Sequence, residues 1–249
     1  MSPPERHPYG RARSQYGELF LPDGDGPHPV AVVLHGGFWR AQYGRKLMHP
    51  LCADLAARGW AAWNLEYRRL GRLSGGGFPR TLDDVAAAVD HLAEMPAHEA
   101  GLSLFRLDRV VAIGHSAGGH LAAWLATRAA PRVAVTGVVA QAGVVDLRLA
   151  SELGLSRGVV RRLLGGAPDE VPERYAAASP AERLPLGVPA LLTHGGRDDI
   201  VPPVMSERFA AAARAAGDQV DLVVEPAEGH FGHLEPSNAL WRAVTTWIG

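Results

Sequence analysis

The chain has 249 residues, 47% hydrophobic and 20% charged, with a formal net charge of -1 at pH 7. A chain of this length can still fold round a single core, so one domain is expected, and the composition is that of an ordinary soluble globule, not of a disordered or membrane-spanning chain. The charge balance leaves no basic surplus to neutralise phosphates, so no nucleic-acid partner is expected.

Residues 1–13 carry charge and proline but no apolar stretch of the length a secretory leader or anchor needs. They read as an irregular extension, and a cytoplasmic location with no membrane partner is expected. Short β-branched-rich runs then alternate with helical periodicities. Strands are expected at 18–21, 30–34, 61–66, 110–113, 135–140, 190–193 and 220–224, and helices at 45–58, 81–95, 118–128, 204–216 and 237–248. This alternation builds a mostly parallel sheet covered by helices on both faces, an α/β architecture spanning 14–249. In the helix at 81–95, Leu82, Val85, Ala86, Val89 and Leu92 share one face, and Thr81 with Asp84 fits a capping box at its start. The single cysteine, Cys52, lies between Leu51 and Leu55 in a helical pattern, where it acts as a small hydrophobe. Two segments interrupt the alternation. The glycine-rich stretch 68–78 is expected to be a surface loop and not a phosphate cradle, since it adjoins no strand-to-helix turn. The stretch 144–187 has an amphipathic piece at 157–164 followed by Pro168, Pro172, Pro180 and Pro185, and is expected to form a small cap over one end of the sheet.

The chemistry-bearing residues fall at the ends of strands. The strand at 110–113 runs into Gly114-His115-Ser116-Ala117-Gly118 and then a helix, the context in which G-x-S-x-G holds a serine on a strained turn at the carboxyl edge of a sheet. Glycines on either side are needed there because a Cβ would meet the neighbouring strand or helix. Ser116 is therefore the candidate nucleophile, while His115 and His120 are expected to be packing residues. After the strand at 30–34 comes His35-Gly36-Gly37-Phe38-Trp39, a glycine turn able to aim backbone N–H groups at a developing oxyanion. The expected donors are Ala117, just after the serine, and Gly37 or Phe38, with His35 as a structural brace. The strand at 190–193 leads to Asp198 and Asp199, and the strand at 220–224 leads to His230 and, three residues on, His233. The chain order of serine, acid and histidine places the acid at Asp198 or its neighbour Asp199, only one of which can reach the histidine because adjacent side chains diverge, and the base at His230 or His233. Asp146 is a conceivable substitute acid, with bracing of the cap its expected role. Trp39 and Phe231 are candidate substrate-binding rings, with Trp124 a further ring behind the serine and core packing the competing role for both tryptophans.

From about Ser14 to Trp247 the chain resembles the α/β-hydrolase superfamily. H-G-G-F-W, G-H-S-A-G-G, Ser179-Pro180 and Gly229-His230-Phe231 are similar to the branch that holds small carboxylesterases and kynurenine formamidase. The resemblance implies a serine esterase with a Ser116–His230–Asp198 triad, an oxyanion hole and no cofactor. It also implies a small-molecule ester or formamide as substrate. The short cap carries no substrate signature. Scattered histidines without clustered ligand spacing imply no metal. Three functions compete: hydrolysis of a carboxylic ester, hydrolysis of an N-formyl aryl amide, and a non-catalytic receptor on the same fold. A homodimer is the candidate assembly, with no residue pattern to fix it.

Overall fold

A computed structural model describes residues 4–95 and 103–249. The strands are β1 (Glu5–Pro8), β2 (Tyr16–Phe20), β3 (His28–Leu34), β4 (Ala61–Leu65), β5 (Phe105–His115), β6 (Gly137–Gln141), β7 (Ala190–Gly195) and β8 (Val220–Glu225). They form one sheet in the order β1-β2-β4-β3-β5-β6-β7-β8. The β1–β2 and β2–β4 pairs are antiparallel, and from β4 to β8 every pair is parallel.

The helices are α1 (His49–Ala57), α2 (Arg80–Asp90), α3 (Ala117–Ala126), α4 (Leu147–Glu152), α5 (Leu155–Leu164), α6 (Pro172–Ala178), α7 (Val204–Ala215) and α8 (Ala239–Ile248). Alternation along β3 shows how they divide. Ala31 and Val33 pack on one face with Leu51 and Leu55 of α1 and Trp241 and Val244 of α8. Val30, Val32 and Leu34 pack on the other with α2, α3, α7 and the segment that carries α4 to α6. A central strand buried on both faces must be apolar throughout, which is why β3 reads as an unbroken hydrophobic run. Among the described residues, no helix is long and apolar enough to cross a membrane.

Two expectations need correction. Residues 5–8 of the supposed irregular extension form the edge strand β1, with Glu5 opposite Leu19 and Pro8 opposite Tyr16; residues 1–3 lie outside the described residues. An exposed edge strand buries no alternate face, so Glu5-Arg6-His7-Pro8 gives no period-two signal. The capping box at Thr81 and Asp84 is absent. Pro79 occupies the N-cap of α2, Thr81 Oγ1 donates to the Arg68 carbonyl, and buried Asp84 takes Arg68 as a close ion pair, Nη2 to Oδ1 2.6 Å, with Gln15 Nε2 donating to Oδ1 at 2.7 Å. A buried carboxylate satisfied by a guanidinium outweighs a cap worth about 1 kcal/mol. That same pair anchors the start of the glycine-rich stretch 68–78.

Candidate active site

Four loops at the carboxyl ends of β3, β5, β7 and β8 meet in one place. Between β5 and α3, Ser116 adopts φ 57°, ψ -118°, a conformation L-residues rarely take. The flanking glycines have a steric reason. A Cβ on Gly114 would sit 2.0 Å from the Gly118 carbonyl oxygen, and one on Gly118 would sit 2.0 Å from the Leu34 carbonyl oxygen. Ala117 opens α3, so its N–H has no partner within the helix.

The loop after β3 turns through three consecutive positive-φ residues, Gly37 (φ 106°), Phe38 (φ 50°) and Trp39 (φ 54°). A Cβ on Gly36 would crowd the serine turn, 2.9 Å from the His115 carbonyl oxygen and 3.0 Å from Ser116 Cβ. The loop is held from behind. The His35 ring stacks on Tyr67 with centroids 4.4 Å apart, its Nε2 lies 3.0 Å from Glu66 Oε1, and its Nδ1 lies 2.7 Å from the Gly36 carbonyl. Glu66 also takes Arg69 at 3.2 Å, and Arg45 bridges on to Glu18 at 2.5 Å. Burial alone would raise the Glu66 carboxyl, but the His35 hydrogen bond and charge and the Arg69 charge outweigh it and hold it low. The N–H groups of Gly37 and Phe38 donate to no protein acceptor among the described residues.

The loops after β7 and β8 are stitched together. Gly196 N donates to the Glu225 carbonyl and Arg197 N to the Glu228 carbonyl, each at 2.8 Å, and Gly195 leaves no room for a Cβ against Glu228 and Gly229. His230 Nδ1 meets Asp198 Oδ2 at 2.7 Å; Asp198 Oδ1 accepts from the backbone N–H of Ile200 and of Val201, both at 2.9 Å. Burial would raise this carboxyl, yet hydrogen bonds from His194 and His230, the His230 charge and the Val201 N–H together hold it well below the carboxylate range. Asp199 is exposed. His233 is buried, with Nδ1 3.2 Å from Thr193 Oγ1. Asp146 caps α4 through the Leu149 N–H.

Ser116 and His230 line a cavity of about 200 Å³ with Gly37, Phe38, Arg40, Tyr43, Leu47, His115, Ser156, Ile200, Phe231 and Leu234. No hydrogen bond joins the Ser116 hydroxyl to His230 Nε2, a common looseness in sites without substrate.

Trp39 corrects an expectation. It is fully buried, turned away from the cavity by the left-handed backbone, and its ring meets His120 edge-on at 5.2 Å. Trp124 is likewise remote, donating Nε1–H to the Ala177 carbonyl. Phe231, by contrast, stands exposed at the cavity mouth. His115 is buried, its ring packed against those of His230 and His233 with centroids 4.6 and 5.7 Å away, and its Nε2 lies 2.8 Å from the His230 carbonyl. No pattern in the letters marks it; only the approach of the β8 loop gives it a partner.

Three histidines near the site are buried and neutral. Burial, with the neighbouring His230 charge, pushes His115 down to about 3; burial pushes His120 down to about 4; burial and the surrounding histidines hold His233 well below its ordinary value. An unfolded histidine titrates near ~6.5, so below that pH the unfolded chain binds more protons than the folded one. Their contribution to stability is complete above that point and is lost as pH falls through 6.5 toward 4. We expect the melting temperature to drop across this window, and His120→Gln, which keeps a donor for the Ala178 carbonyl, to flatten the slope. A melting temperature that rises toward pH 5 would contradict this account.

The sheet order, the strained serine turn and the converging loops define the α/β-hydrolase class. A family model described as BD-FAE matches residues 18–212, and the chain belongs to that family. Esterase LipC of Mycobacterium tuberculosis is 30% identical over 82% of this chain and 53% of its own length. Esterase LipQ of the same organism is 27% identical over 76% of this chain and 46% of its own. The chain thus spans about half the length of these curated relatives. Among solved structures, a truncated carbohydrate esterase from gut microbiota superposes with a TM-score of 0.82 over 98% of this chain and 93% of that one, at 19% identity.

Proposed function

We propose that the protein is a serine hydrolase that cleaves small carboxylic esters through an acyl-enzyme intermediate. The observation that carries this reading is the Asp198–His230 hydrogen bond opening on the same cavity as the strained Ser116. In the proposed reaction, His230 Nε2 takes the Ser116 proton as Oγ attacks the ester carbonyl, and returns it to the departing alkoxide. Asp198 accepts from Nδ1–H and so fixes the tautomer that leaves Nε2 free to act as base. The carbonyl oxygen, now negative, is received by the N–H of Ala117 and of Gly37 or Phe38, each such donor being worth roughly 10²–10³ in rate. Water then repeats the sequence on the acyl-enzyme.

The esterase names of the relatives support the ester reading, and nothing among them favours the formamide alternative. A non-catalytic receptor would turn over no ester at all. The proposed setting is the cytoplasm, acting alone or as a homodimer on a small-molecule substrate. Substrate size follows from the cavity, which at about 200 Å³ has room for a short acyl or aryl group but not for a long alkyl chain. We expect p-nitrophenyl acetate and butyrate to exceed the decanoate in kcat/KM by at least about tenfold, the scale at which apolar pockets discriminate. A preference for the decanoate would overturn the small-ester reading, and no cleavage of any would overturn hydrolysis itself.

A further inference from the structure

The cavity lining holds one permanent charge, Arg40, and no carboxylate. Elsewhere Arg45 is paired with Glu18, Arg68 with Asp84, Arg69 with Glu66 and Arg128 with Asp90, while Arg109 and Arg183 lie outside the cavity and spend their N–H groups on carbonyl and hydroxyl oxygens. Arg40 forms no such pair among the described residues. Its Nη2–H donates to the Ser156 carbonyl at 2.8 Å, while its Nε–H is buried without any hydrogen-bond partner. A tether to Ser156 needs one of the five N–H donors of the group, and it does not supply the missing countercharge.

The backbone makes Arg40's position specific. The left-handed turn at Phe38 and Trp39 sends the indole into the core and leaves the next side chain at the cavity, where Arg40 N is pinned to the Gly37 carbonyl at 2.9 Å. The guanidinium therefore rides on the same turn as the proposed oxyanion donors. The rest of the wall is apolar or uncharged, including Phe38, Leu47, Ile200 and Leu234. A planar cation in a small, largely apolar cavity favours a carboxylate, whose two oxygens match the fork of its Nη–H groups.

Building on the ester-hydrolase reading, we infer that Arg40 is a specificity residue and that the preferred substrates are esters carrying a carboxylate on either the acyl or the alcohol side. Kinetic comparison of matched charged and neutral esters tests this. 4-Acetoxybenzoate against methyl 4-acetoxybenzoate places the charge on the leaving side; phenyl hydrogen adipate against phenyl hexanoate places it on the acyl side. The wild-type protein should favour the charged member of at least one pair by tenfold or more in kcat/KM, and the pair that does so identifies the side. Arg40→Gln should bring that ratio to within twofold of unity, and Arg40→Lys should keep part of it. Each variant's neutral ester serves as its internal reference. Where the leaving-side pair is the favoured one, a readout needing no variant is inhibition of phenyl acetate cleavage: 4-hydroxybenzoate should then compete at least tenfold more tightly than its methyl ester. Equal cleavage of charged and neutral members by the wild-type protein, or a ratio unmoved in Arg40→Gln, overturns the role of Arg40 and leaves the hydrolase reading standing. Failure to cleave any of the four esters overturns both.

Discussion

Replacing Ser116 by Ala should remove turnover almost completely, by ~10⁶ in kcat where the hydroxyl is the nucleophile of such a triad, while the fold persists. The two halves of this expectation have separate grounds. Ser116 Cβ stays in the variant, so the contacts that shape the turn between Leu34, Gly36 and Gly118 are unchanged. The hydroxyl itself holds nothing together, for it makes no hydrogen bond among the described residues, and the turn is fixed by backbone bonds such as Ser116 N to the Gln141 carbonyl at 2.8 Å. A change in melting temperature of no more than about 2 °C is expected, since for a chain of this size that is under about 1 kcal/mol. A fluorophosphonate probe should label the native wild-type protein at Ser116 and fail on the variant and on heat-denatured protein, because the serine is reactive only beside its base. Residual activity above a few per cent, or labelling at another residue, would remove Ser116 from the centre of the mechanism.

How far the sequence could be read depends on what each residue answers to. Runs such as Val30-Ala31-Val32-Val33-Leu34 are set by burial on both faces, a requirement that leaves its mark in the letters themselves. The glycines around Ser116 are set by contacts at 2.0 Å with backbone a few residues away or on the adjacent strand, and their spacing is therefore local and legible. In the letters Asp198 and Asp199 are separable only by resemblance to the family pattern H-G-x-x-D-x-x-V-P. In the structure the difference is physical, since Asp198 turns inward to the N–H groups of Ile200 and Val201 while Asp199 faces water. Other features are invisible in the letters because they arise from distant segments meeting. Asp84 is claimed by Arg68 and Gln15, not by its own helix, and His115 acquires a partner only when the loop after β8 folds over it. Trp39 departs from expectation for a related reason. A large aromatic beside the candidate oxyanion glycines suggests a pocket wall, but a positive φ at Phe38 and Trp39 reverses where the ring points. Arg40 is unmarked in the letters for the same cause, as the residue that the reversal delivers to the cavity.

Asp198→Asn should cost ~10⁴ in kcat, the loss seen when the acid of a serine triad becomes an amide and the histidine is held in the wrong tautomer. The local geometry says why the amide cannot substitute. Every polar neighbour of the Asp198 carboxylate presents an N–H: His230 at 2.7 Å, His194 at 3.3 Å, and the backbone of Ile200 and Val201 at 2.9 Å each. An amide must turn its own NH₂ toward one of these. Rotated so that its oxygen serves the two backbone donors, it presents NH₂ to His230 Nδ1, which can then only accept. The proton moves to Nε2, and the atom facing Ser116 no longer has a lone pair for the hydroxyl proton. Because the folded site holds this carboxyl well below the ordinary range, Asp198 is ionised throughout the neutral range in the wild-type protein, so the variant's defect should not be relieved by lowering pH from 8 to 6. Asp199→Asn alters an exposed side chain and should leave kcat near the wild-type value. Steady-state kinetics on the two variants, with circular dichroism to check that both remain folded, separates the assignments. A larger loss in Asp199→Asn would exchange them, and equal, mild losses would mean that His230 is oriented by something other than a carboxylate.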